Sequence, residues 1–80
     1  MEKMLDELKP GERGKVAKII GQGAIKRRLL DMGITPGAEI FMRKTAPLGD
    51  PMELNVRGYE LSIRKEEAKA VTMKIEEVGF

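Results

Sequence analysis

The stretch Gly23 to Gly37, Gly-Ala-Ile-Lys-Arg-Arg-Leu-Leu-Asp-Met-Gly-Ile-Thr-Pro-Gly, writes a helix, its end and the following turn into one short segment. Ile25, Leu29 and Met32 recur at i, i+4 and i+7, which sets three apolar side chains on one helix face. Gly33 comes directly after them, where a left-handed residue commonly closes a helix, and Pro36-Gly37 suits the centre of a type II turn. On both sides the pattern changes to period-two alternation. This is therefore the one substantial helix in a chain of short strands, placed to cover an open end of a small sheet.

The rest of the chain follows in order. Leu5 and Leu8 precede the turn Lys9-Pro10-Gly11-Glu12, which predicts an extended or one-turn lead-in whose leucines dock on the core. Gly14 to Ile20 is rich in β-branched residues and reads as strand one, with imperfect alternation. Ala38 to Lys44 reads as strand two, with Ile40 and Met42 inward and Phe41 left outside. Thr45 to Pro51 carries two prolines and a glycine and must be a loop. Met52-Leu54-Val56 and Tyr59-Leu61-Ile63 alternate on either side of Gly58, which predicts a hairpin of strands three and four. Arg64 to Ala70 favours one helical turn, Val71-Met73-Ile75 gives strand five, and Val78 to Phe80 is a short tail.

Five short strands close most easily as a small, strongly bent barrel that leaves few free edges. The expected core is Val16, Ile25, Leu29, Ile40, Met42, Leu54, Val56, Leu61, Ile63, Val71, Met73 and Ile75. An open sheet with the helix on one face is the alternative. No repeat or linker interrupts the chain, so residues 1–80 read as a single domain.

Composition excludes several chemistries. The chain has no cysteine and no histidine, so it lacks disulfides, thiolate metal sites and the usual general base near neutral pH. Eighty residues leave no depth for a catalytic cleft, and no nucleophile stands beside a recognisable base. The start is charged, and no apolar run is long enough to span a bilayer, so a soluble cytoplasmic protein, not membrane-inserted, is expected. Fifteen basic against thirteen acidic residues, interleaved, give a net charge of +2, and the chain holds three aromatics, too few for a base-stacking platform. Gly21-Gln22-Gly23 before a helix invites a phosphate-loop reading. However, Lys26 stands where the dinucleotide pattern needs its third glycine, and no Gly-Lys-Ser/Thr follows.

Three blocks resemble a known family: Arg27 to Ile40, Ala46 to Pro51, and Arg57 to Ala68. In their order and spacing they are similar to FeoA, the small cytosolic component of bacterial ferrous iron transport. The resemblance implies an SH3-like barrel: mainly β, five-stranded, with one short helix between strands one and two and a helical turn before strand five. It implies a non-catalytic module, without a cofactor, that binds or regulates FeoB, the membrane permease with a cytosolic GTPase domain. A similar domain is appended to metal-dependent repressors. The family brings no agreed functional side chains to transfer.

Candidate contact residues come from phase alone. Leu30 sits about 130° round the helix from the apolar stripe, by steps of about 100° per residue, and Phe41 is out of phase with the core. With Arg27, Asp31 and Arg43 at the rim they form a candidate partner-binding surface. The competing reading buries Leu30 under the Ile34 turn and Phe41 under the lead-in. Arg27 and Arg28 also suit a phosphate, or plain solvation. Metal binding has only carboxylates to draw on, Asp50 with Glu39 or Glu53, each with an ordinary structural use, and the six methionines fall largely at core positions. A FeoB-type partner is the leading expectation, with the protein a monomer or weak homo-oligomer. A nucleic-acid-binding barrel and a metal-sensing or carrier domain are the alternatives.

Overall fold

A computed structural model describes residues 2–75. Six strands form one antiparallel sheet: β1 (Glu2–Met4), β2 (Arg13–Ile19), β3 (Glu39–Thr45), β4 (Met52–Val56), β5 (Tyr59–Ile63) and β6 (Val71–Ile75). Helix α1 spans Gly23–Asp31, the short helix α2 spans Lys65–Ala68, and a 3-10 turn occupies Leu5–Glu7. The hydrogen-bonded order is β1-β6-β2-β3-β4-β5. The five expected strands are therefore one short, since Glu2–Met4 pairs with Lys74, Met73 and Thr72 as an extra edge strand. Three residues are too few to show a period, and only the partner strand reveals them.

Among the described residues no ladder joins β5 back to β1, so the sheet is not closed by hydrogen bonds. It is nonetheless bent over a single core. Val16 and Met73 from one half of the sheet join Ile40, Met42, Leu54 and Ile63 from the other half in one buried cluster. Two bulges contribute to the bend, one between Val16 and Lys18 and one between Met42 and Lys44. An inserted residue increases local twist.

Helix α1 ends as its sequence requires. Gly33 lies at φ 90°, its N–H donates to the Leu30 carbonyl, and the Ile34 N–H donates to the Leu29 carbonyl, both at 3.0 Å. These two bonds form a Schellman close, whose accompanying apolar contact is made by Leu29 and Ile34, both fully buried. The turn after it has Gly37 at φ 88° and the Ala38 N–H on the Thr35 carbonyl at 2.9 Å. The hairpin of β4 and β5 closes through Arg57 and Gly58, both at positive φ, the signature of a two-residue type I′ turn.

The core departs from expectation at the helix. Ile25 is 40% exposed and only Leu29 of α1 is buried, because the first helical turn lies at the rim beside Gly21. Leu61 and Ile75 are partly buried. In their place Leu5, Leu8, Ile34, Ala38, Met52 and Ala68 complete the core, the two leucines docking as the lead-in predicts. The tail Val78 to Phe80 lies outside the described residues.

Candidate interaction surface

The outer face of the sheet carries a row that only the register can assemble. Arg13 on β2 pairs with Phe41 on β3, Phe41 with Asn55 on β4, and Asn55 with Glu60 on β5. The Arg13 guanidinium sits 5.3 Å from the centre of the Phe41 ring, within cation–π range, and leaves the ring half-buried. Arg43 is the extra residue of the β3 bulge, so it and Lys44 both project outward in succession. Arg43 pairs across β4 with Glu60, and Lys44 pairs with Glu53 at 3.3 Å. A shallow hollow results, lined by Arg13, Glu39, Phe41, Arg43, Asn55 and Glu60, with cations and carboxylates balanced around one aromatic ring.

A second hollow runs along the outer side of α1, formed by Gly23, Lys26, Arg27, Leu30 and Asp31. Leu30, 37% exposed, lines it, and Gly23 adds no side chain to fill it. The five candidate contact residues thus fall into two groups: Arg27, Leu30 and Asp31 on the helix, and Phe41 with Arg43 on the sheet. Neither of these two hollows is lined by both groups.

Several charged residues have internal duties instead. Arg28 is not merely solvated: its Nε lies 2.9 Å from Oε2 of Glu67, joining α1 to α2. Glu67, buried on α2, also accepts the Arg64 N–H at 3.0 Å through Oε1. Asp50 accepts the Lys65 N–H at 3.0 Å, so the loop carboxylate satisfies a donor at the start of α2. With Glu53 on Lys44, the three carboxylates considered for metal have separate surroundings, and no group of three acidic side chains converges among the described residues. Glu12 accepts the Lys9 N–H at 2.7 Å and lies 3.3 Å from the Lys3 ammonium. Chiefly the first of these contacts, with the lysine charges adding, holds its carboxyl below the ordinary value of 4.5.

Arg13 and Glu60 are the surface residues that sequence reasoning missed. Their roles depend on cross-strand register, which alternation within one strand does not contain. Among the described residues no helix is long and apolar enough to cross a membrane.

These features define a small SH3-like β domain with two shallow surface hollows, one on the sheet and one on the helix. The family model for the FeoA domain matches residues 3–75, and the chain belongs to the FeoA family. It is 31% identical over 71 residues to a Porphyromonas gingivalis Fe(2+) transport protein A/Fe(2+) transporter FeoB fusion protein, a match covering 89% of this chain but only 8% of that protein. The solution structure of a FeoA-like protein from Clostridium acetobutylicum is similar at TM-score 0.90 and 37% identity, over 99% of this chain and 92% of that one. The zinc complex of Stenotrophomonas maltophilia FeoA, described as an SH3 domain protein, is similar at TM-score 0.77 and 29% identity, over 92% and 89% of the two chains. Family and fold link the chain to ferrous iron transport.

Proposed function

We propose that this chain is a non-catalytic, cytoplasmic accessory domain that binds the cytosolic region of a FeoB-type ferrous iron permease and regulates it. The observation that carries this reading is the fusion relative, in which a domain of this family and the transporter FeoB share one polypeptide. Covalent linkage makes sense for partners that must meet, because it replaces a bimolecular encounter with a high effective concentration. The two hollows, around Leu30 with Arg27 and Asp31 and around Phe41 with Arg43, are the contact surfaces in this reading. Their modest apolar content fits a reversible complex. Nucleic acid is the weaker partner, since Glu39 and Glu60 offset Arg13 and Arg43 around the ring.

The test is an amide NMR titration with the isolated cytosolic GTPase region of the FeoB from the same organism. Shifts grouped at Leu30 or Phe41, reduced by Leu30→Ser or Phe41→Ala, support the reading. Absence of shifts at near-millimolar partner refutes binding to that region. Direct metal binding is a second reading favoured by the zinc-bound relative. Calorimetry with zinc and ferrous iron tests it, and no heat at millimolar metal rules against it.

A further inference from the structure

The exposed edge of β5 is unlike the other end of the sheet. Edge strands are ordinarily blunted by charged side chains, lysine above all, by proline, by a bulge or by a covering element, and the one charge on this strand, Glu60, is neutralised by Arg43 across β4. Strand β5, Tyr-Glu-Leu-Ser-Ile, contains no lysine or proline, its ladder with β4 is regular, and β4 is its sole strand neighbour among the described residues. The two-residue turn makes Val56 and Tyr59 a hydrogen-bonded pair, and alternation makes Leu54 with Leu61 and Met52 with Ile63 the next two. The backbone N–H and C=O groups of Glu60 and Ser62 therefore point away from the sheet. On the core-facing side Tyr59 is 76% exposed and Leu61 only partly buried, so the edge also leaves apolar surface uncovered.

We propose that this edge pairs with the same edge of a second copy of this chain, β5 against β5 antiparallel about a two-fold axis through Leu61. Three registers bring the outward-pointing groups together. One sets Glu60 opposite Glu60 of the other copy, which like charge opposes. Another uses the Arg64 N–H, already donated to Glu67 at 3.0 Å. The third pairs Glu60 with Ser62 in both directions and satisfies every outward group of the two residues, giving four backbone hydrogen bonds. It also sets Leu61 against Leu61 and Tyr59 against Ile63 on the core-facing side. The ion pair with Arg43 holds the Glu60 side chain on the outer face and leaves its backbone free. A strand of five residues, about 17 Å long, covers less than the roughly 1,200 Å² of a stable interface. The dimer is accordingly weak and concentration-dependent.

Sedimentation velocity and amide NMR on the full chain, from about 20 µM to about 2 mM, bracket such an affinity. The expected result is a monomer–dimer equilibrium with shifts centred on Glu60–Ser62. Ser62→Pro removes an N–H that faces away from β4, a change edge strands accept, and is expected to leave a monomer. Ser62→Lys, facing Glu60 twice in the dimer, is expected to tighten it by a factor of about 2 to 30, and Ser62→Glu to weaken it similarly. A wild-type monomer throughout, a larger open assembly, a dimer indifferent to Ser62→Pro, or equal responses to Ser62→Lys and Ser62→Glu would each overturn the proposal.

Discussion

Replacing Glu67 tests how the two helices are held together. One oxygen accepts the Arg64 N–H at 3.0 Å and the other meets Arg28 Nε at 2.9 Å, on a side chain only 11% exposed, whereas that of Arg28 is 65% exposed. Losing a helix-start acceptor costs about 1 kcal/mol. Losing the packed γ-methylene costs roughly 0.8 kcal/mol, and an ion pair with one end this exposed adds roughly 0.5 kcal/mol. The higher helix propensity of alanine offsets about 0.4 kcal/mol. Glu67→Ala is therefore expected to destabilise the domain by about 2 kcal/mol, or roughly 8 to 16 °C in Tm for a chain of this size. Glu67→Gln, which keeps the methylenes and one acceptor, should lie between it and Arg28→Ala at about 0.5 kcal/mol. Urea and thermal melts followed by far-UV circular dichroism would measure all three. If Arg28→Ala cost as much as Glu67→Ala, the contact would be an ion pair in the main, and the reasoning from the backbone donor would be wrong.

Two other expectations bear on the sheet and the lead-in. A Cβ added to Gly14 would lie 2.6 Å from the Lys74 carbonyl oxygen and 3.2 Å from Ile75 Cα. Gly14→Ala should thus destabilise by about 1 to 3 kcal/mol, with amide shifts concentrated in β6, although alanine ordinarily improves a strand; unchanged or raised stability would refute the close approach. Glu12 should titrate below 4.5 by carbon NMR of its carboxyl group. Because its folded value is depressed, its contribution is present above the unfolded value and fades as pH falls through the folded one. Lys3→Met should raise that value only slightly, since the Lys9 N–H is the larger cause; a full return to 4.5 would reverse that order.

The parts of the fold legible in the sequence are those decided by neighbours along the chain. Gly33 stops α1, Pro36-Gly37 turns, Gly58 closes the hairpin and the proline-rich loop lies where its composition places it, because each depends on local backbone geometry. Helical period assigns Ile25 to the core, but period says which residues share a face and not how far the core extends along it. Only the level of Leu29 meets the sheet. Ile34 reads as part of a turn, yet the Schellman close folds it back onto Leu29. Strand β1 needed β6 to be visible at all.

The surface was less legible for a related reason. Phase picked Leu30 and Phe41 correctly as residues off the core, but exposure is a property of what stands opposite. Phe41 is half-covered because register brings Arg13 over it, and Arg43, outward by simple alternation after buried Met42, is engaged because register sets Glu60 within its reach across β4. The register leaves no mark in a single strand's alternation. Two polar residues in succession, Arg43-Lys44, are the nearest sequence trace of the bulge. It is also the place where the outer face gains a second cation, Lys44, which pairs with Glu53 on β4, so local irregularity and surface chemistry have one cause. A ladder kept regular through Arg43 would turn Lys44 inward and leave Glu53 unpaired, altering the outer face beside the hollow without touching the Phe41 ring itself.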